Sequence, residues 1–90
     1  MSYSIELTPQ ASRQFKKLPR DARQRVGRCI DQLAGEPRPA DCEKIAGQDG
    51  FYRVRAGDYR VVYQVHDDRL VVLVALIGDR RDIYRHLANL

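Results

Sequence analysis

The sequence predicts an α+β fold: an N-terminal strand, a two-helix hairpin, a three-stranded antiparallel meander and a short C-terminal helix or tail. Three observations predict it. Residues 2–7 and 51–77 alternate or run apolar at the period of strands, whereas 9–35 set apolar residues three and four apart. Gly57-Asp58 sits between two alternating runs, as a two-residue hairpin turn requires. Pro9, Pro19 and Gly35 fall where helices begin and end. A chain of this length holds one core, so residues 1–90 are read as a single domain.

Tyr3, Ile5 and Leu7 share one side of the first strand, opposite Ser2, Ser4 and Glu6. Thr8 suits an N-cap and Pro9 the first helical position, where the missing N–H has no partner anyway. Ala11, Phe15 and Leu18 line one face of this helix. Pro19 interrupts it and opens a second, in which Ala22, Val26, Cys29, Ile30 and Leu33 recur at helical spacing until Gly35. Pro37 and Pro39 make 36–44 a loop, and 45–50 continue irregularly.

In the hairpin, the turn sets Ala56 opposite Tyr59, Arg55 opposite Arg60 and Arg53 opposite Val62. One face then collects Tyr52, Val54, Ala56, Tyr59, Val61, Tyr63 and Val65, a surface suited to a core. The other collects Phe51, Arg53, Arg55, Arg60, Val62, Gln64 and His66. Asp67-Asp68 makes a second turn, and 69–77 form the last strand. Leu70, Val72, Val74 and Leu76 are expected on the core side. Val71, Leu73, Ala75 and Ile77 make the other side apolar as well, which suits a strand that is central or covered. If His66 opposes Arg69, then Arg60 meets Ala75 and Asp58 meets Ile77. Gly78 lets the chain bend, so that 79–85 leave from the arginine end.

The net charge of +4 is unevenly spread. Between residues 13 and 28, Arg13, Lys16, Lys17, Arg20, Arg23, Arg25 and Arg28 face a single acid, Asp21. A solvated helix face can look like this, but a second basic cluster on the sheet points to a nucleic acid or an acidic protein. Thirteen of the sixteen cations are arginine, which forks onto phosphate and stacks on bases better than lysine. No apolar run is long enough to span a membrane, and residues 1–7 lack the basic start and apolar stretch of a signal peptide. A cytoplasmic protein is expected. Cys29 and Cys42 lack metal-ligand spacing and are read as free thiols.

Like charges directly opposite on a sheet cost about 0.2–1 kcal/mol, so the Arg55–Arg60 pair makes sense where an anion sits between them. Phosphate is the first candidate. The register and the bend bring Arg80 to the same place, with Arg53 one row away and Tyr84 within reach. Cutting a phosphodiester needs charge stabilisation on the non-bridging oxygens, one group to take a proton and one to give it. Guanidiniums meet the first need but stay protonated, so they make poor bases. Tyr84 and His86 are the nearby groups with a proton to exchange. Asp58, Asp79 and Asp82 lie among the arginines and read as their partners, so neither a metal nor another cofactor is expected.

The hairpin YRVRAGDYRVVY (52–63), the tail GDRRDIY (78–84) and the junction KLP (17–19) resemble the RelE/ParE toxin superfamily, most closely its RelE branch. The likeness covers almost the whole chain. It implies a RelE-like, microbial-RNase-type fold and the toxin of a type II toxin–antitoxin module. Such a toxin is a ribosome-dependent mRNA endoribonuclease, or mRNA interferase, that inhibits translation and arrests growth. The implied reaction is metal-free: the RNA 2′-hydroxyl attacks its own 3′ phosphate, leaving a 2′,3′-cyclic phosphate and a free 5′-hydroxyl. The implied partners are a cognate antitoxin, the 30S A site of the ribosome and mRNA, with no membrane.

By position, the resemblance gives catalytic roles to Arg55, Arg60, Arg80 and Tyr84. Arg53, Arg81, Lys16, Lys17 and Arg20 are read as RNA- and phosphate-binding. The RelE branch carries lysine where Arg53 and Arg55 stand, so the general base is open here. Tyr84, with its pKa depressed by the guanidiniums around it, and His86 are the two choices. The same superfamily implies an alternative, a ParE-like module that poisons DNA gyrase by binding alone. In either case an acidic or amphipathic antitoxin is expected to lay a helix across 11–33 or to cover the arginine pocket.

Overall fold

A computed structural model describes residues 2–87. Five strands form one sheet in the order β1-β5-β4-β3-β2: β1 (Ser4–Leu7), β2 (Glu43–Lys44), β3 (Phe51–Ala56), β4 (Tyr59–His66) and β5 (Val71–Asp79). β1 runs parallel to β5, and the other neighbours are antiparallel. Helices α1 (Pro9–Lys16) and α2 (Arg20–Gly35) cover one face, and α3 (Arg80–Leu87) packs on the other. The α+β architecture expected from the sequence is the one observed.

α1 is short and is fixed to the sheet by polar bonds. The Thr8 hydroxyl accepts from the Ala11 N–H at 3.1 Å and donates to the Ala75 carbonyl at 2.8 Å. Gln14 Oε1 accepts from the Ile77 N–H at 2.7 Å. α2 holds by its apolar stripe: Ala22, Val26, Ile30 and Leu33 are buried at helical spacing. The last three join Val54, Val61, Tyr63, Val72 and Val74 in the main core. Tyr63 is fully buried, and its hydroxyl donates to the Pro37 carbonyl at 2.8 Å. Burial pushes its pKa up. The free thiols of Cys29 and Cys42 both pack against this core, and burial, aided by Asp41, raises the pKa of Cys29.

Arg38 ties the loop after α2 to the β4–β5 turn. Its Nη1 and Nη2 donate to the Asp67 carboxylate at 3.2 and 2.7 Å, and its Nε donates to the Tyr52 hydroxyl at 3.0 Å. Tyr3 donates to the same carboxylate at 2.6 Å.

Three details correct the sequence expectations. The β4–β5 turn is longer than two residues: His66 pairs with Val71 rather than Arg69, and Leu70 enters the left-handed region with φ 53°. A bulge follows, since the pairing steps from Val62–Leu76 to Tyr63–Val74 and leaves Ala75 as the extra residue. Its carbonyl is the one that Thr8 satisfies. Arg60 therefore lies opposite Gly78, not Ala75, and Tyr59 opposite Asp79. The bulge also inverts the side-chain phase beyond it. Ile77 joins the main core, while Leu76 joins Val62, Ala75 and Ile83 beneath α3. Finally, the stretch expected to be loop contains β2, whose Glu43 and Lys44 pair with Arg53 and Tyr52.

Candidate functional site

The site begins at the hairpin turn. Gly57 has φ 64° and Asp58 has no positive φ, the combination of a type II′ turn with glycine in first place. A Cβ on Gly57 would also stand 2.6 Å from Arg25 Nη1, so glycine lets this arginine of α2 lie against the turn. The turn sets the strand register, and the expected pairs Arg53–Val62, Arg55–Arg60 and Ala56–Tyr59 are all present. Alternation then sends Arg53, Arg55 and Arg60 to the face away from the main core.

The other wall comes from α3. Asp79 caps this helix, its Oδ1 accepting from the N–H groups of Arg81 and Asp82 at 2.9 and 2.8 Å. The Arg80 N–H donates to the Asp58 carbonyl at 3.3 Å, which ties the helix start to the hairpin turn. Ile83 is buried against Val62, Ala75 and Leu76, and this packing leaves Tyr84 61% exposed.

Together these elements enclose a cleft of about 480 Å³ lined by Asp41, Glu43, Arg53, Val54, Arg55, Arg60, Arg80 and Tyr84. Arg55, Arg60, Arg80, Tyr84 and Arg53, picked out in the sequence, are thus brought to one place. Arg60 Nη1 donates to the carbonyls of Gly57 and Tyr59 at 3.2 and 3.1 Å, and Arg55 Nε reaches the Gly57 carbonyl at 3.5 Å. The Arg53 guanidinium lies 6.0 Å from the centre of the Tyr84 ring, at the outer range of a cation–π contact. Its Nη2 also donates to Glu43 Oε2 at 3.1 Å, and this hydrogen bond raises the Arg53 pKa. Among the described residues the ion pairs are Arg53–Glu43 and Arg38–Asp67. Arg55, Arg60 and Arg80 therefore gather without a carboxylate partner.

The remaining candidates lie elsewhere. Asp58, Asp79 and Asp82, expected to be partners of the arginines, make no ion pair with them, and the first two line a separate cavity with Arg80 and Arg81. Arg81 faces that cavity and not the cleft. Lys16, Lys17 and Arg20 stand at the α1–α2 junction, in the layer covering the opposite face, and none lines the cleft. Neither does His86, in the last turn of α3.

Asp41 and Glu43 are the residues that the sequence reading missed. The available signal was alternation: Cys42 packs on the main core and Ile45 beneath α3, so Glu43 shares the cleft face. Pro37 and Pro39 obscured it by marking the whole stretch as loop. Among the described residues no three His, Cys, Asp or Glu side chains group as metal ligands would, and no helix is long and apolar enough to cross a membrane.

Residues 5–84 match a family model described as "ParE toxin of type II toxin-antitoxin system, parDE". The "mRNA interferase toxin RelE" of Escherichia coli (strain K12) is 28% identical over 88 residues, covering 93% of this chain and 92% of the relative. "Toxin RelG" of Mycobacterium tuberculosis is 30% identical over 86 residues, covering 94% and 99%. In the crystal structure of the archaeal RelE–RelB complex from Pyrococcus horikoshii OT3, one chain superposes with a TM-score of 0.77 at 30% identity. The match covers 89% of this chain and 97% of that one.

Proposed function

Because the chain belongs to the RelE/ParE family of toxins from type II toxin–antitoxin systems, we propose that it is an mRNA endoribonuclease acting on the ribosome. The observation that carries the reading is the cleft itself. Three arginines without carboxylate partners face one space, with the Tyr84 phenol and the carboxylates of Asp41 and Glu43 also lining it.

A scissile phosphate seated among Arg55, Arg60 and Arg80 has its non-bridging oxygens met by fixed positive charge. That charge favours the more negative phosphorane over the starting diester, which is what lowers a barrier. Guanidiniums carry that stabilisation in this cleft. The general base falls to Glu43, whose carboxylate can accept a proton where Arg53 and Arg55 cannot. Glu43 takes the 2′-hydroxyl proton, O2′ bonds to phosphorus, the bond from phosphorus to O5′ breaks, and the Tyr84 phenol protonates O5′. The products are a 2′,3′-cyclic phosphate and a 5′-hydroxyl. Arg53, held by Glu43 and lying near the Tyr84 ring, positions both groups.

An antitoxin partner is supported by the likeness to a toxin bound to RelB. An acidic segment of such a partner would find the same unpaired arginines. A second reading is a ParE-like module that binds gyrase without hydrolysis; its support is that the family model matching residues 5–84 is described as a ParE toxin. Translation in vitro with primer-extension mapping separates the two. Codon-spaced cuts that need ribosomes are expected; intact message together with inhibited supercoiling would decide for the second reading.

A further inference from the structure

Across β3 from the cleft, a groove of about 650 Å³ opens between α2 and the strand. Half-buried Cys29 and Pro39 line it above the buried Leu33, Val54 and Ala56, and its rim carries Arg25, Arg28 and Arg55. Groove and cleft share Asp41, Val54 and Arg55, so one surface continues around the edge of the sheet. The edge is open at this point, because β2 covers β3 only at Tyr52 and Arg53. Arg25 and Arg28 lie three apart on α2 and therefore on one side of it. Neither makes an ion pair among the described residues.

We propose that this groove holds nucleotides flanking the scissile phosphate. The RNA strand leaves the cleft past Arg55, crosses the β3 edge and lays its backbone on Arg25 and Arg28, with a base against Cys29 and Pro39. The inference rests on the nuclease reading of the cleft. A single-stranded nucleic acid needs a positive track for its backbone with room beside it for the bases, and the groove supplies both. Glu36 and Asp41 on the rim can accept hydrogen bonds from exocyclic amino groups, which biases the site toward bases that carry one. Continuity through Arg55 favours RNA over a peptide, since an occupant of the cleft is already beside the groove.

The test is salt-dependent binding of fluorescent oligoribonucleotides to the purified toxin without ribosomes, comparing a dinucleotide with a strand of about eight nucleotides. For single strands, each phosphate neutralised contributes a slope of about −0.7 in log K against log salt. Arg25→Ala/Arg28→Ala should reduce the slope by about 1.4 for the longer strand and leave the dinucleotide unchanged. Arg60→Ala should reduce it by about 0.7 for both. Arg25→Lys/Arg28→Lys, which keeps the charge, should restore the longer strand's slope and so exclude misfolding. If the double alanine variant keeps the wild-type slope, or loses slope equally at both lengths, the groove is not an RNA track. Loss of antitoxin binding with the RNA slope intact would make it a protein site and overturn the proposal. An unchanged slope in Arg60→Ala would instead remove the nuclease reading on which the groove depends.

Discussion

Arg38 and the cleft arginines use the same side chain in opposite ways. Arg38 forks onto Asp67, donates to Tyr52 and lies 5.4 Å from the centre of that ring. Its donors are spent on the protein, and they fasten the loop after α2 to the far turn of the sheet. Among the described residues, Arg55 and Arg60 hydrogen-bond only to backbone carbonyls at their own turn, and Arg80 has no carboxylate partner either. Their charge is left unmatched by any carboxylate among the described residues. Arg38 is closed by its partner; the cleft arginines, proposed above to bind phosphate, are held in place with their charge unmatched. Such openness has a cost in the free protein, because Arg55 and Arg60 stand directly opposite each other.

The largest break in this comparison is expected from emptying the cleft. Arg60→Ala and Arg80→Ala should each lower cleavage roughly 100- to 1,000-fold, the range for removing one preorganised donor from a developing anion, and should abolish growth arrest on expression. Both variants should stay folded. Arg60→Ala should even gain stability, by about 0.2–1 kcal/mol in urea titration, from relief of the like-charge pair. Arg38→Ala, in contrast, should leave cleavage unchanged. Toxicity retained in both cleft variants would end the active-site assignment.

Glu43→Gln comes next. It keeps the shape of the side chain but not its proton affinity, so cleavage should fall about 100-fold or more while RNA binding holds. The sharper reading is the pH–rate profile, whose acid limb should vanish in Glu43→Gln and persist in Tyr84→Phe. An acid limb that survives in Glu43→Gln would return the base role to Tyr84.

Much of this was legible in the chain because hairpin chemistry is local. Gly57-Asp58 dictates the turn, the turn dictates the register, and the register places Arg55 against Arg60. The helix stripes and the N-cap at Thr8 were equally readable, each resting on neighbours in sequence. Residues 71–77 hid their bulge because every side chain there is apolar, so a shift of phase leaves no trace in the pattern. The turn before them was misjudged for a related reason: nothing about Leu70 announces a positive φ. Glu43 was missed because β2 is only two residues long and is fixed by pairing with Arg53 and Tyr52, so its brief alternation does not stand out beside Pro37 and Pro39.

A smaller effect concerns how the open arginines are held. Asp79→Ala removes the acceptor for two N–H groups at the start of α3 and should cost about 1 kcal/mol of stability, measured by urea titration. It should also lower cleavage modestly, since Arg80 and Tyr84 ride on that helix. Asp79→Asn or Asp79→Ser, which can still cap, should recover most of both. Full activity in a measurably destabilised Asp79→Ala would mean that the helix start does not position Arg80.

The smallest effect belongs to the closed arginine and is read through pH. Hydrogen bonds from Arg38 and then Tyr3 hold the Asp67 carboxyl down to about 2, below the ordinary carboxylate value of about 3.9. A group whose pKa is depressed on folding stabilises the protein above its unfolded value. That contribution drains away as pH falls from there through about 2. Wild type should therefore lose more of its melting temperature over this interval than Asp67→Asn does, and the difference between the two curves isolates this carboxyl from the others. Because the pair is exposed, the difference should be smaller than the loss of the α3 cap and should shrink in high salt. Parallel curves for the two proteins would show that the loop is held by packing around Tyr52 and Tyr63, and that Arg38 is as idle toward the fold as the cleft arginines are.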